Sequence, residues 1–314
     1  MKRKAICVSV VISALTILLP QVSQSAEQSA YPEVGLAKDV IYFVMPDRYL
    51  NGDTSNDLAG GTTTDSTGGF NPKSTAFFHG GDLKGLTGNC EKGDKGLARI
   101  KNLGFTAVWL TPLVGQQQAS KSGAGYHGYW GVDFLNVDPH LGTNEDLSAL
   151  SACAKKLGIK LILDVVTNHT GDVISYFDKT ASIPAGKESA KNPAWLNDLN
   201  NYHNVGDMSR CWGEGSCTQL GDFYGLDDLA TEKEVVYKGW TDVYGQWIKK
   251  YGLVGFRVDT ARHVDNDFFK NWSPGINQQA AEVGINNFTT FGEVWDINPI
   301  NLVGYIRDRG LQTV

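Results

Sequence analysis

Positive charge in excess and long apolar runs are both scarce in these 314 residues. Lys and Arg together number 28 against 34 Asp and Glu, a net charge of −6. Such a chain lacks the basic face that nucleic-acid binding requires, so no nucleic-acid partner is expected. The one long apolar run, Ala5 to Leu19, is shorter than the ~20 residues of a spanning helix, and nothing later is apolar enough to span. No stable membrane anchor is expected. Lys2, Arg3 and Lys4 precede this run, and Pro20 and a small, polar stretch ending Ser23-Gln24-Ser25-Ala26 follow it. That is the pattern of an export signal, so 1–26 are read as a signal peptide and the chain as secreted, to the periplasm or outside the cell. No cysteine stands at the cleavage point to carry a lipid. Removing 1–26 takes three positive charges and no negative ones, and the net charge goes from −6 to −9.

Cysteine is sparse too, five in all. Cys7 leaves with the signal, and the remaining four include no Cys-x-x-Cys spacing, which argues against zinc. An even number in an exported chain suggests disulfides. Cys211 and Cys217 lie close together in a polar loop, which would leave Cys90 with Cys153; three pairings are formally possible. Nothing in the sequence indicates an oligomer.

What is present is a strict alternation. Short apolar runs occur at 39–46 (DVIYFVMP), 106–113 (TAVWLTPL), 160–166 (KLILDVV), 253–259 (LVGFRVD) and 289–295 (TTFGEVW). They are continuously apolar, as parallel strands covered on both faces are. Between the second and third, Thr143 with Asp146 forms an N-cap signal, Leu147, Leu150, Ala154 and Leu157 follow at helical spacing, and Gly158 closes the helix. Val236, Trp240, Val243 and Trp247 repeat the pattern up to Gly252. The class is α/β, either a (β/α) barrel or a doubly wound sheet. Some 60 residues separate the third strand from its helix, where loops of ~2–6 are usual. We read 169–231 as a small inserted domain or lid between two parts of the main domain, 27–168 and 232–314.

Chemistry gathers at the strand ends. Residues i and i+2 of a strand share a face, so Arg257 and Asp259 point one way at the end of an apolar strand. A structural ion pair would account for these two alone. Asp164 lies inside the third strand, however, with Asn168 and His169 just beyond it, and Glu293 ends the fifth. In a barrel these ends meet at one face. Two convergent carboxylates are what cleavage of a glycosidic bond needs, one to attack the anomeric carbon and one to protonate the leaving oxygen.

DVVTNHT (164–170), GFRVDTARH (255–263) and FGEVW (291–295), in that order, resemble three of the four signature segments of the α-amylase family of glycoside hydrolases. IYFVMPDRYLNGD (41–53), FHGGDLKGL (78–86), YHGYWGVDF (126–134) and GLDDLATE (225–232) are similar to further segments of that family. The resemblance implies an eight-stranded (β/α) TIM barrel with a small domain inserted after its third strand. It implies Asp259 as nucleophile, Glu293 as general acid/base, and Arg257 as the group that holds the nucleophile as its anion. His169 would contact the sugar at the cleavage point, Tyr129 would stack on it with His127 beside it, and Arg262 and His263 would lie on the leaving-group side. Asp164 would support the site without reacting. Asn168, Asp228 and the main-chain carbonyl of His263 would hold a Ca2+ that ties the inserted domain to the barrel; hard oxygen donors suit that ion. A second calcium is implied at Asn51, Asp53, Asn56 and Asp57, with Gly80 and Asp82 closing round it. An Asx-rich turn satisfying its own backbone is the alternative there.

The fourth signature segment, near the seventh strand, is not present, and Gly310 to Val314 read as the start of a sixth strand. A complete barrel takes ~250 residues, so the expectation is an incomplete one of about five and a half β/α units. Residues 1–314 alone are expected to hydrolyse starch poorly. The activity expected of the parent protein is endo-hydrolysis of α-1,4-glucosidic bonds in starch or glycogen by a retaining double displacement. A cyclodextrin-forming or maltogenic transglycosylase shares every motif quoted, and an inactive truncated or sugar-binding product is the remaining alternative.

Overall fold

The apolar runs become strands. The computed structural model describes residues 35–60, 68–208 and 218–314, so the signal-peptide reading and the Cys211–Cys217 pair lie outside the described residues. In chain order the strands are β1 (Ile41–Val44), β2 (Ala107–Leu110), β3 (Val114–Gln116), β4 (Gly131–Val137), β5 (Lys160–Val166), β6 (Ser175–Phe177), β7 (Thr180–Ser182), β8 (Gly255–Asp259) and β9 (Thr289–Gly292). Five of them form one sheet in the order β1-β2-β5-β8-β9, and every pairing in it is parallel. β3 with β4 and β6 with β7 make separate antiparallel pairs. A parallel bridge from Phe291 to Thr313 lies where the sequence reads the start of a sixth strand. The architecture is α/β with a five-stranded parallel sheet, and the strands succeed one another in space in the order of the chain, as in part of a TIM barrel.

The helices are α1 (Leu83–Thr87), α2 (Gly96–Asn102), α3 (Asn144–Leu157), α4 (Glu234–Tyr251), α5 (Phe268–Ala281) and α6 (Pro299–Arg307). α3 opens on the expected capping box between Thr143 and Asp146 and closes on Gly158 at φ 65°, a conformation that glycine adopts without a Cβ clash. α4 buries Val236, Trp240, Val243 and Trp247. Its aromatic tips also have partners: Trp240 Nε1 donates to the Thr167 carbonyl at 2.9 Å and the Tyr244 hydroxyl to that of Val166 at 2.6 Å. One helix thus seals the core and fixes the strand end from which Asn168 and His169 emerge. Cys90 and Cys153 form a disulfide that joins the loop after α1 to α3.

The two faces of the sheet differ. The helix-covered face carries the large core, in which Val108, Leu163, Phe256, Val258 and Trp240 pack together. The other face carries a small cluster of Leu36, Ala107 and Ile162 with Trp109 and Phe291 beside it, and Phe43 there is half exposed. The register sets Asp164 against Arg257 and Val166 against Asp259 on this second face.

Residues 169–231 contain the β6–β7 hairpin and two 3-10 turns, and no α-helix among those described. The segment folds back on its own start: His169 bridges to Asp228 in antiparallel fashion, and the Leu229 amide donates to the Asn168 carbonyl at 2.9 Å.

Candidate active site

Arg257 organises the strand ends. Its Nη1 lies 2.8 Å from Asp259 Oδ1 and 2.9 Å from Asp164 Oδ1, and its Nη2 lies 3.0 Å from Glu293 Oε2. One guanidinium therefore gathers the carboxylates of three successive sheet strands. Asp164 also accepts from the Tyr129 hydroxyl at 2.9 Å and from Trp109 Nε1 at 3.2 Å. Glu293 stands just past β9; its amide donates to the Val258 carbonyl at 2.8 Å and its Oε2 accepts from the Thr260 amide at 3.0 Å.

Burial and its neighbours set the charges. Asp259 is pushed above the usual carboxylate range, first by burial and then by the nearby Asp164 carboxylate, while Arg257 pulls the other way. Asp164 is raised by burial against the same guanidinium. One positive charge shared by two buried carboxyls leaves a surplus of negative charge, so the pair holds a proton more tightly than two free carboxyls would. Burial depresses His127 and His169 to about 4 each and lowers His263. All three imidazoles are neutral at pH 7 and can accept or donate one hydrogen bond per ring nitrogen.

Asp259 and Glu293 open into one cavity of about 890 Å³, whose walls include Tyr129, His169, Arg262 and His263. That size suits a ligand of several rings. His127 does not line it. Its ring stacks on Tyr129 at 5.6 Å between centroids, and its Nδ1 accepts from the Tyr129 amide at 3.1 Å. His169 Nε2 lies 3.2 Å from the Tyr129 carbonyl. Arg262 donates to the Trp295 carbonyl, and His263 Nδ1 lies 2.8 Å from the Thr218 carbonyl.

The α-amylase catalytic-domain family model matches residues 43–297. The chain belongs to the α-amylase family of glycoside hydrolases. It is 37% identical to an α-amylase of Streptomyces lividans in an alignment 276 positions long that covers 73% of this chain and 29% of that protein. It is 26% identical to a cyclomaltodextrin glucanotransferase of Klebsiella oxytoca over 92% of this chain and 42% of that protein. Among solved structures, an Anoxybacillus α-amylase superposes with a TM-score of 0.67 at 32% identity, covering 87% of this chain and 51% of that one. The chain thus spans about half or less of the length of these relatives.

Members of the α-amylase family often bind calcium, and two places in this chain offer donors for it. Asn168 Oδ1 is buried without a hydrogen-bond partner among the described residues. Asp228 is 2% exposed, and burial pushes its carboxyl up to about 7 although His203 Nδ1 lies 2.6 Å away. A buried amide oxygen and a desolvated carboxylate held side by side are donors that a cation would satisfy. At the second place, Asn51 Oδ1 and Asn56 Oδ1 are likewise buried without a partner. A Cβ on Gly80 would stand 2.6 Å from Asn51 Nδ2 and 2.7 Å from Asp57 Oδ1, so glycine keeps that space open. Asp82 and Asp53 are committed elsewhere. Asp82 caps α1 through Gly85 and accepts from the Gly52 and Asp53 amides, while Asp53 accepts from Ser55 and pairs with Lys84. No three His, Cys, Asp or Glu side chains converge as a metal-holding group among the described residues. Each place would therefore combine asparagine and main-chain oxygens with one carboxylate, Asp228 at the first and Asp57 at the second, which fits a hard cation.

Three further residues belong to the site without being singled out by the sequence. Trp109 holds Asp164, the Phe223 ring stacks on His169 at 6.0 Å, and Thr260 reaches Glu293 through its amide. Trp109 sits one residue from the end of a strand already recognised, and the i, i+2 rule could have placed it on the site face. Phe223 lies in the inserted segment, where no periodicity assigns a direction.

Proposed function

We propose that this chain carries the catalytic centre of a secreted, endo-acting α-1,4-glucan hydrolase that works on starch or glycogen with retention of configuration. The observation that carries the reading is the single guanidinium of Arg257 reaching both Asp259 and Glu293 at one cavity. Two carboxyl groups spanned by one guanidinium fit the ~5–5.5 Å separation of retaining enzymes. In the first step Asp259 attacks the anomeric carbon and the glycosidic bond breaks, while Glu293 gives its proton to the departing oxygen. In the second, Glu293 takes a proton from water, the water oxygen bonds to the anomeric carbon, and Asp259 is released as carboxylate. Arg257 stabilises that carboxylate, and Tyr129 offers its ring to the sugar with His169 beside it. Neutral His169 and His263 are suited to hydrogen-bond sugar hydroxyls without adding charge.

Asn168, Asp228 and the His263 carbonyl would hold a calcium ion between the sheet and the inserted segment. Asn51, Asn56, Asp57 and Gly80 are the better-fitted members of a second set. When bound, the ion supplies positive charge that fixes the join and takes no part in bond cleavage. The parent fold is an eight-stranded barrel with 169–231 as its inserted domain. A cyclodextrin-forming transglycosylase is the second reading, favoured by the similarity to the Klebsiella oxytoca enzyme over 92% of the chain.

The test is product analysis on soluble starch by the purified parent protein that carries this chain, with anomeric configuration followed by NMR. Linear malto-oligosaccharides released first as the α-anomer are expected, and their loss by on the order of 10⁴-fold in Asp259→Asn. Cyclic products would select the second reading. β-anomeric products, or undiminished cleavage by Asp259→Asn, would overturn both.

A further inference from the structure

Thr260 follows Asp259 and adopts φ 45°. A β-branched residue in the left-handed region is strained, and surroundings that hold it there do so at a conformational cost. A second cost accompanies the first: its Oγ1 is buried with no hydrogen-bond partner among the described residues. The turn brings the Thr260 amide to Glu293 Oε2 at 3.0 Å, while the Thr260 carbonyl accepts from the His263 amide at 2.8 Å. Glu293 Oε2 also forms an ion pair with Arg257 Nη2, again at 3.0 Å. An oxygen that accepts an N–H and faces a guanidinium is the less basic of the two carboxylate oxygens. A proton on this carboxyl is therefore directed to the other oxygen.

We propose that Thr260 is a positioning residue for the proton donor: its left-handed turn aims an amide at Glu293 Oε2 and, with Arg257, reserves Oε1 as the oxygen that gives and retrieves the proton. The inference rests on Glu293 being the general acid. In cleavage the Oε1–H bond breaks as the O–H bond of the leaving sugar forms; in hydrolysis of the intermediate the proton of water returns to Oε1.

Two variants separate positioning from packing. Thr260→Gly keeps the amide and takes the left-handed turn without strain, whereas Thr260→Pro has no N–H to donate and is confined to negative φ. Positioning of an acid matters for a sugar leaving group and little for a nitrophenolate, which departs without protonation. Thr260→Pro is expected to lower kcat on a malto-oligosaccharide about tenfold, a part of what general acid catalysis supplies. Nitrophenol release from an aryl maltoside should change by less than about threefold and KM should hold. Thr260→Gly should retain most of the wild-type kcat on both substrates, with a melting temperature no lower than that of the wild type. Equal losses on both substrates by a folded Thr260→Pro, no loss on either, or a folded Thr260→Gly no better than Thr260→Pro would overturn the proposal. A readout without turnover completes the test: the ¹⁵N-labelled Thr260 amide should resonate downfield and move upfield in Glu293→Ala. An amide indifferent to Glu293 overturns the positioning role. If the wild type cleaves no glucan while the amide responds as expected, the hydrolase reading fails and the positioning of Glu293 stands.

Discussion

The strand-end cluster around Arg257 and the join around Asn168 and Asp228 meet at the end of β5, where Asp164 belongs to the first and Asn168, just past the strand, to the second, yet they solve burial differently. At the first, the carboxylates are answered by protein donors: Arg257, Tyr129, Trp109 and the Thr260 amide. At the second, Asp228 accepts from His203 and the Gly221 amide, but Asn168 Oδ1 is buried with no hydrogen-bond partner among the described residues. The carboxylates of the first region are all met by groups of the chain. The second leaves a buried oxygen that a hard cation would fit. A cation bound there would couple the attachment of the inserted segment to its supply.

The strongest way to break this contrast is to remove the internal cation. Arg257→Met leaves Asp164 and Asp259 facing each other without a counter-charge, and breaking a buried pair costs about 3–5 kcal/mol. Glucan hydrolysis should fall by on the order of 10³-fold or more. Arg257→Lys should not restore it, because an ammonium cannot reach Asp164, Asp259 and Glu293 as a planar fork does. Activity assays with a thermal melt check both expectations, and a lysine variant with near wild-type turnover would mean that charge alone, without the fork geometry, completes the cluster.

The sheet was legible because its strands are unbroken apolar runs and its helices carry readable caps, as at Thr143 and Gly158. The two carboxylates were legible because a charge at the end of a buried strand is costly unless it pairs or reacts. The strained turn at Thr260 was not, since threonine gives no local sign of a left-handed backbone. The Lys191–Asp227 pair was not either, because its partners are 36 residues apart within the inserted segment and meet only once that segment folds back.

That pair sharpens the contrast, being a self-contained device inside the inserted segment. Lys191 is 4% exposed, and its Nζ lies 2.5 Å from Asp227 Oδ2 and 2.9 Å from the Tyr202 hydroxyl. Asp227 in turn accepts from the Val173 and Ile174 amides. Lys191→Met should cost about 3–5 kcal/mol by stranding a buried carboxylate, and adding Asp227→Asn should recover most of it. Urea melts of the single and double variants decide. A double variant as unstable as the single one would mean that the ionised carboxylate is needed for itself.

Calcium comes next in size. Chelator should lower the melting temperature by about 5 °C and added calcium should restore it, the shift expected if roughly 2–3 kcal/mol of binding free energy is linked to folding. In Asn168→Leu the melt should no longer respond to the ion at that place, and the residual response reports the Asn51 and Asn56 set. A wild-type melt indifferent to excess chelator would rule out a stabilising metal and erase the contrast between the two regions.

The smallest expected effect comes from a pair that lies in neither region and should obey proton linkage alone. His140 Nδ1 sits 2.8 Å from Asp138 Oδ1, its Nε2 sits 2.6 Å from the Gly68 carbonyl, and its ring stacks on Phe78 at 3.8 Å. Burial alone would lower the imidazole, but the Asp138 carboxylate outweighs it and the ring titrates above its ordinary value. A histidine raised on folding contributes stability that is complete below its unfolded pKa of about 6.5 and is lost as the pH climbs through the folded value. The stability difference between wild type and His140→Gln should therefore be larger at pH 5.5 than at pH 8.5, by about 1 kcal/mol. Both melts are run in saturating calcium so that the metal contributes equally. A difference that is flat with pH would mean that His140 acts through its stacking on Phe78 and not through its charge.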